Sequence, residues 1–301
     1  MEADSPNPAA TSAERGLPPV APPSGRFIAQ LFLVPGLIVT FAVLFILGLN
    51  YLFVEARDAD HYLQRLKDAN PDIRWRAAHD LAQELKRTES KLRVNSGFAL
   101  GLAERLSTAL DELQQKESII AQQIKSLPEH QQDAGWLKAK VERDYAGFLA
   151  SALGDFVVPV GIPLLARMAL DTASPDLKGN TDLRRKAVWA LGNLGENLKS
   201  FAKLPAEQQS EIRSYLREQA SGSGDRASWA RVALRHLETP AQANADVVDV
   251  LARCARDQDR FLRRLTALVL NFWDSPRADA ILLDLTRDDG HGTLISSPVI
   301  D

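Results

Sequence analysis

One pattern recurs along this chain and restricts its fold more than any other feature. An apolar residue is followed by Arg, two residues, a small residue, three residues and Leu. Ile73-Arg74-x-x-Ala77-x-x-x-Leu81 and Leu183-Arg184-x-x-Ala187-x-x-x-Leu191 follow it in full. Leu262-Arg263-x-x-Thr266-x-x-x-Leu270 replaces Ala with Thr, and Arg226-Ala227-x-x-Ala230-x-x-x-Leu234 keeps the second half. Glu142-Arg143-x-x-Ala146-x-x-x-Ala150 is a fainter copy. Such spacing lays one apolar stripe along a helix. In the stretch Thr181–Asn197, Leu183, Ala187, Ala190, Leu191 and Leu194 make that stripe. Thr181 and Asp182 suit the start of this helix, and Gly195 is expected to end it in a left-handed conformation. Small Ala187, Ala190 and Gly192 leave room for a second helix to approach closely.

From residue 142 the copies begin 41, 43 and 36 residues apart, intervals that suit a pair of helices per unit. The second helices are expected over Phe98–Leu110, Gly161–Leu170, Ala206–Gln219, Asp246–Ala255 and Arg277–Thr286. Breakers fall between them: Ser174-Pro175, Leu204-Pro205, Ser221-Gly222-Ser223-Gly224, Thr239-Pro240 and Ser275-Pro276. No long alternating run competes, so the expected fold is all-α. Between Ile73 and Glu142 there is extra sequence. The polar insertion at 111–135 reads as a projecting helix, or the last turns of one, with a break near Pro128.

The pattern resembles the HEAT repeat family over residues 60–288. In that family the motif Arg often pairs with an Asp six residues earlier. Asp68 before Arg74 and Asp257 before Arg263 match, whereas Lys178 before Arg184 and Leu137 before Arg143 depart. The resemblance implies a HEAT-like helical-repeat solenoid over residues 55–290, followed by a C-terminal coil at 291–301. It is nearest to the single-span, membrane-anchored HEAT repeat proteins of bacteria, which implies a place in a bacterial inner membrane.

From Phe27 to Val54 no charged residue occurs. A bilayer is crossed by about 20 apolar residues in a helix, so 27–54 is expected to be one transmembrane helix. A cleavable signal peptide has a core of only about 7–15 apolar residues. Arg57, Arg65, Lys67 and Arg74 follow the span against Arg15 and Arg26 before it, which favours a cytoplasmic solenoid. Residues 1–26 carry six prolines among Ala, Ser and Gly and are expected to be a disordered tail.

Composition narrows the function. The 36 Lys+Arg nearly balance 39 Asp+Glu, so no basic excess attracts nucleic acid. The single cysteine, Cys254, rules out an intramolecular disulfide framework and a clustered thiolate metal site. It lies in an apolar stripe and reads as packing rather than as a reactive thiol. His61, His79, His130, His236 and His291 form no His-Glu-x-x-His pair, and no histidine has another three to five residues away. Neither a Gly-x-Ser-x-Gly elbow nor a phosphate loop occurs. Asp288-Asp289-Gly290-His291-Gly292 lacks the alternating oxygen ligands of a calcium loop and reads as a turn. Trp75, Trp189, Trp229 and Trp273 are candidates for lining a ligand groove or, more simply, for core packing.

These features lead to the expectation of a non-catalytic scaffold, free of cofactor and metal, that holds a protein partner at the membrane. The expected partner-binding residues are Arg184, Arg185, Lys186 and Arg231, polar residues near helix ends. Two alternatives stand beside it: a HEAT-like lyase or ligand-binding protein, and an accessory subunit whose span packs against other membrane helices.

Overall fold

The computed structural model describes residues 33–45, 59–87, 90–125, 129–171 and 180–288. The chain divides into two compact units, Met1–Ala56 and Arg57–Asp301. In the first, residues 33–45 form helix α1, whose Leu33, Leu37, Phe41 and Leu44 are all exposed. The rest of the expected span Phe27–Val54 lies outside the described residues. So do the Pro-rich tail 1–26, the Ser174-Pro175 connector, and residues 289–301 with their Gly290-His291-Gly292 turn. Among the described residues, no helix is long and apolar enough to cross a membrane.

The second unit is helical, with no strand among its described residues. Its helices are α2 (Ala59–Leu66), α3 (Pro71–Leu85), α4 (Ser96–Lys125), α5 (Glu129–Gly154), α6 (Ile162–Leu170) and α7 (Asn180–Phe201). They continue with α8 (Ala206–Ala220), α9 (Gly224–Glu238), α10 (Pro240–Cys254), α11 (Arg260–Leu270) and α12 (Pro276–Asp288). A short 3-10 helix, Lys91–Val94, precedes α4.

Two of the motif helices start with the same hydrogen-bonded module. Before α3, Asp68 Oδ1 accepts from the Asn70 amide at 2.8 Å, and Asn70 Oδ1 caps the Asp72 amide at 2.9 Å. Before α11, Asp257 Oδ1 accepts from the Asp259 amide at 2.9 Å, and Asp259 Oδ1 caps Phe261 at 3.0 Å. Each cap satisfies an amide that the helix start leaves without a partner. The motif Arg closes both modules, but onto a backbone carbonyl: Arg74 to Asp68 O at 3.3 Å and Arg263 to Asp257 O at 2.8 Å.

The packing sorts the helices into two rows. α3, α5, α7 and α11 pack successively on one another, and α2, α4, α6, α10 and α12 form the second row. Cross-row pairs α2–α3, α4–α5, α6–α7 and α10–α11 close the unit. Within the first row the helices run parallel and in motif register. His79 meets Phe148, Asp144 meets Lys186, Asp155 meets Asn193, and Arg185 meets Asp259. Leu81, Leu106, Leu149, Leu153, Leu191 and Leu194 are fully buried between the rows. Each contributes about 2 kcal/mol through burial.

Two details differ from the sequence reading. α7 runs through Gly195 to Phe201. Gly195 serves close approach instead, because a Cβ there would stand 2.8 Å from Trp273. The only left-handed backbone described is at Gly224, φ 83°, where α8 turns into α9. The copy at Arg226 does not stand between the copies at 183 and 262. Its helix α9 pairs with α8 and lies against α4, α6 and α10, so α7 and α11 become neighbours. Arg226, a charge in the leading apolar position, reaches Glu104 on α4, Gln219 and Tyr215. The polar insertion takes the second of its two expected forms, the last turns of a longer helix. It is the ends of two long helices, α4 with 30 residues and α5 with 26. They are tied together by Lys116–Glu142 and by the buried pair Arg143–Glu117.

Candidate functional site

The motif arginines hold the stack together. Arg74 on α3 reaches Glu142 on α5 at 3.2 Å, and Arg143 on α5 binds Glu117 on α4. Arg184 is only 9% exposed; its Nε donates to Ala169 O at 3.0 Å and its terminal nitrogen to the Asp257 carboxylate. Burial pushes the Asp257 carboxyl up, but the Arg184 hydrogen bond and the Asp259 amide outweigh it and hold it below its ordinary value.

The other three expected partner-binding residues keep part of their surface in solvent. Arg185 pairs with Asp259 at 2.9 Å and Asp182 at 3.3 Å, and its guanidinium lies 4.7 Å over the Phe261 ring. Lys186 lies 3.6 Å from Asp144 and 5.3 Å over the Phe148 ring. It fits because Gly147 has no Cβ; one there would meet Lys186 Cδ at 2.6 Å. Arg231 is not on this face: it donates to Ala220 O at 2.8 Å, tying α9 to the end of α8. The structure thus brings Arg184, Arg185 and Lys186 together on α7 and places Arg231 on the α8–α9 hairpin.

Around Arg185 and Lys186 runs a band that sequence reasoning found only in part. Two residues after the small residue of the motif stand His79, Phe148, Trp189 and Leu268, one per helix of the first row. His79 and Phe148 meet edge to face at 5.0 Å, and Trp75 stacks on His79 at 5.7 Å. Trp189 and Leu268 are open to solvent, at 46% and 51% exposure, and Phe261 is exposed beside them. Of the four candidate tryptophans, Trp229 and Trp273 are core, whereas Trp75 and Trp189 belong to this band. The missed members, His79, Phe148 and Leu268, share one motif position. Aligning the copies at 73, 142, 183 and 262 lines them up.

Beneath the band lies a polar knot. Arg93 donates to Asp155 O at 2.9 Å and to Asn197 Oδ1, Asn197 donates to Gly154 O at 3.0 Å, and Asn193 donates to Asp155 Oδ1 at 3.1 Å. Asp155 Oδ2 is buried without a hydrogen bond. Burial pushes this carboxyl up to about 6, against the pull of Lys86, Asn193 and Arg93. No motif announces it, since its parts come from the 3-10 helix, the end of α5 and α7.

Two further shifted groups, Cys254 and His236, are packed too. Cys254 is fully buried with its thiol 3.7 Å from Ala169 O, and burial pushes its pKa up to about 11. His236, 2% exposed, has neither ring nitrogen hydrogen-bonded, and burial followed by Arg235 lowers its pKa to about 4. A cleft of about 380 Å³ opens between the start of α4 and α8, lined by Ser96, Gly97, Glu211, Ile212 and Tyr215 among others. Among the described residues, no group of three or more His, Cys, Asp or Glu is placed to hold a metal ion.

No family model matches the chain. A search of curated proteins likewise finds no match.

Proposed function

We propose that the chain is a non-catalytic, membrane-anchored scaffold that holds a protein partner against the face built by α3, α5, α7 and α11. In this reading the two-row stack is a HEAT-like solenoid and Phe27–Val54 is its single transmembrane anchor. The anchor is supported by the uncharged run itself, and the cytoplasmic side by the basic residues that follow it.

One observation carries the partner face: the ladder of equivalent positions ends in two large apolar side chains, Trp189 and Leu268, left half in water. Burying such a side chain is worth about 1.5–3 kcal/mol, and exposed apolar rows of this kind mark interaction sites. The shifted titratable groups Asp155, His236 and Cys254 all sit inside helix packing, which supports a structural role for them.

The test is in-cell photo-crosslinking with the reactive side chain at position 189 or 268, followed by capture from gently solubilised membranes. Position 214, on the exposed side of α8, serves as the control. One dominant protein adduct at 189 and 268, missing at 214, is the expected result. Recovery of the chain alone from all three positions overturns the reading, and a retained pigment or small molecule would favour the ligand-binding alternative.

A further inference from the structure

The first row stops at α11 among the described residues, while the second row continues to α12. Among the described residues no first-row helix follows α11 to stand opposite α12, and nothing fills the slot beside α11. The interface between α7 and α11 describes what such a slot receives. There, two adjacent arginines, Arg184 and Arg185, take two carboxylates spaced Asp-x-Asp, Asp257 and Asp259. Those carboxylates also cap the incoming helix, and Arg185 covers its first aromatic ring, Phe261.

α11 repeats the receiving half of this interface. Arg263 and Arg264 stand in the motif places of Arg184 and Arg185, and Leu268 in that of Trp189. Among the described residues Arg264 is exposed and makes no ion pair, and Arg263 donates to the backbone carbonyls of Asp257 and Gln258. Arg260 adds a third exposed cation on the same helix. We infer that the open edge of α11 is a docking site for one helix of a partner protein, whose N-terminus carries an Asp-x-Asp cap followed by an aromatic residue. The site deepens the scaffold reading and rests on it.

Two other occupants fit less well. The chain's own residues 289–301 contain no Asp-x-Asp, so they lack the carboxylate pair that two adjacent arginines would receive. A second copy would bring its Asp68-x-Asn70 start only together with α2, which pairs with α3 as α10 pairs with α11. α12 already fills the place that α2 would need.

The probe is a labelled synthetic peptide with the sequence Ala255–Trp273, titrated against the full-length chain in detergent micelles and followed by fluorescence anisotropy. A second peptide carries Asp257→Asn and Asp259→Asn, which removes the charge and keeps the cap, as Asn70 does for α3. Saturable binding is expected, weakened about tenfold or more by Arg264→Glu in the protein or by the Asn peptide. The two losses should not add, because they remove one contact. Arg264 is exposed and makes no ion pair among the described residues, so its replacement should leave the fold intact, which circular dichroism checks.

Absence of binding, or binding indifferent to Arg264→Glu, overturns the inference. Binding that appears only after deletion of 289–301 assigns the slot to the chain's own tail, and competition by a second copy assigns it to self-association; either also overturns it. A crosslinked partner at Trp189 with no peptide binding sinks only this inference. Peptide binding with nothing crosslinked sinks the scaffold reading instead.

Discussion

The Arg184 guanidinium on α7 binds the Asp257 carboxylate in the turn before α11, joining two motif copies across 73 residues of sequence. Both side chains are nearly buried, so each neutralises a charge that the packing would otherwise strand. Arg184→Ala is expected to cost about 3 kcal/mol in unfolding free energy, measured by denaturant titration in micelles. Arg231→Ala, which removes an exposed side chain, should cost well under 1 kcal/mol. Equal losses would refute the strut assignment.

Gly154 sits where α5 crosses α7. A Cβ there would stand 2.6 Å from the Ala190 carbonyl oxygen and 2.7 Å from its Cα, both backbone atoms that cannot swing away. Gly154→Ala is therefore expected to destabilise by about 2 kcal/mol or more. Gly36→Ala, with nothing within 4 Å, should be silent or slightly stabilising. Thermal unfolding midpoints of the two variants check the contrast.

His236 titrates in the unfolded chain near 6.5 but in the fold only near 4. Between these values the unfolded state binds the extra proton, so stability is full above about 6.5 and falls as pH drops toward 4. The loss amounts to about 3 kcal/mol. His236→Leu should flatten that part of the pH–stability curve, and an unchanged slope would show that other groups cause it.

Asp155 behaves in the opposite sense. Its folded pKa of about 6 lies above the ordinary 3.8, so its contribution is complete below about 3.8 and is lost as pH rises through 6. Asp155→Asn keeps the bond from Asn193 and removes the buried charge. It is expected to raise stability at pH 8 by about 1–2 kcal/mol and leave it unchanged at pH 4. A loss of stability at pH 8 would mean that Lys86 and Arg93 stabilise the ionised form more than burial penalises it.

Cys254 is sealed under α6 with its thiol pKa near 11. A thiol reagent at pH 8 should label it only as fast as the fold opens, and fully in denaturant. Rapid labelling of the native chain would contradict the packing of α10 against α6.

Much of the architecture was legible because helices announce themselves locally. The apolar stripe of Leu183, Ala187 and Leu191 reflects the 3.6-residue turn, and Pro240 and Pro276 mark helix starts where a missing amide costs nothing. Thr181, Asp182 and Gly195 were less readable. Whether Gly195 ends a helix or admits Trp273 depends on a neighbour 78 residues away, and α7 continues because that neighbour needs the space. The candidate site divides in the same way. Trp75, Trp189, Arg185 and Lys186 drew notice by residue type, whereas Leu268 and Phe148 look like core until their exposure is known.

By itself the sequence determined that the chain folds into paired helices with arginine at a fixed place in each motif, because periodicity and capping are properties of consecutive residues. It also carried the uncharged run Phe27–Val54. Only the tertiary structure decided that the copies at 183 and 262 stack directly while the copy at 226 is set aside. Only the structure decided that Arg185 is held by Asp259 while Arg264 has no ion pair among the described residues. The physical reason is that two arginines in the same motif position differ solely in whether a carboxylate from a distant segment arrives beside them.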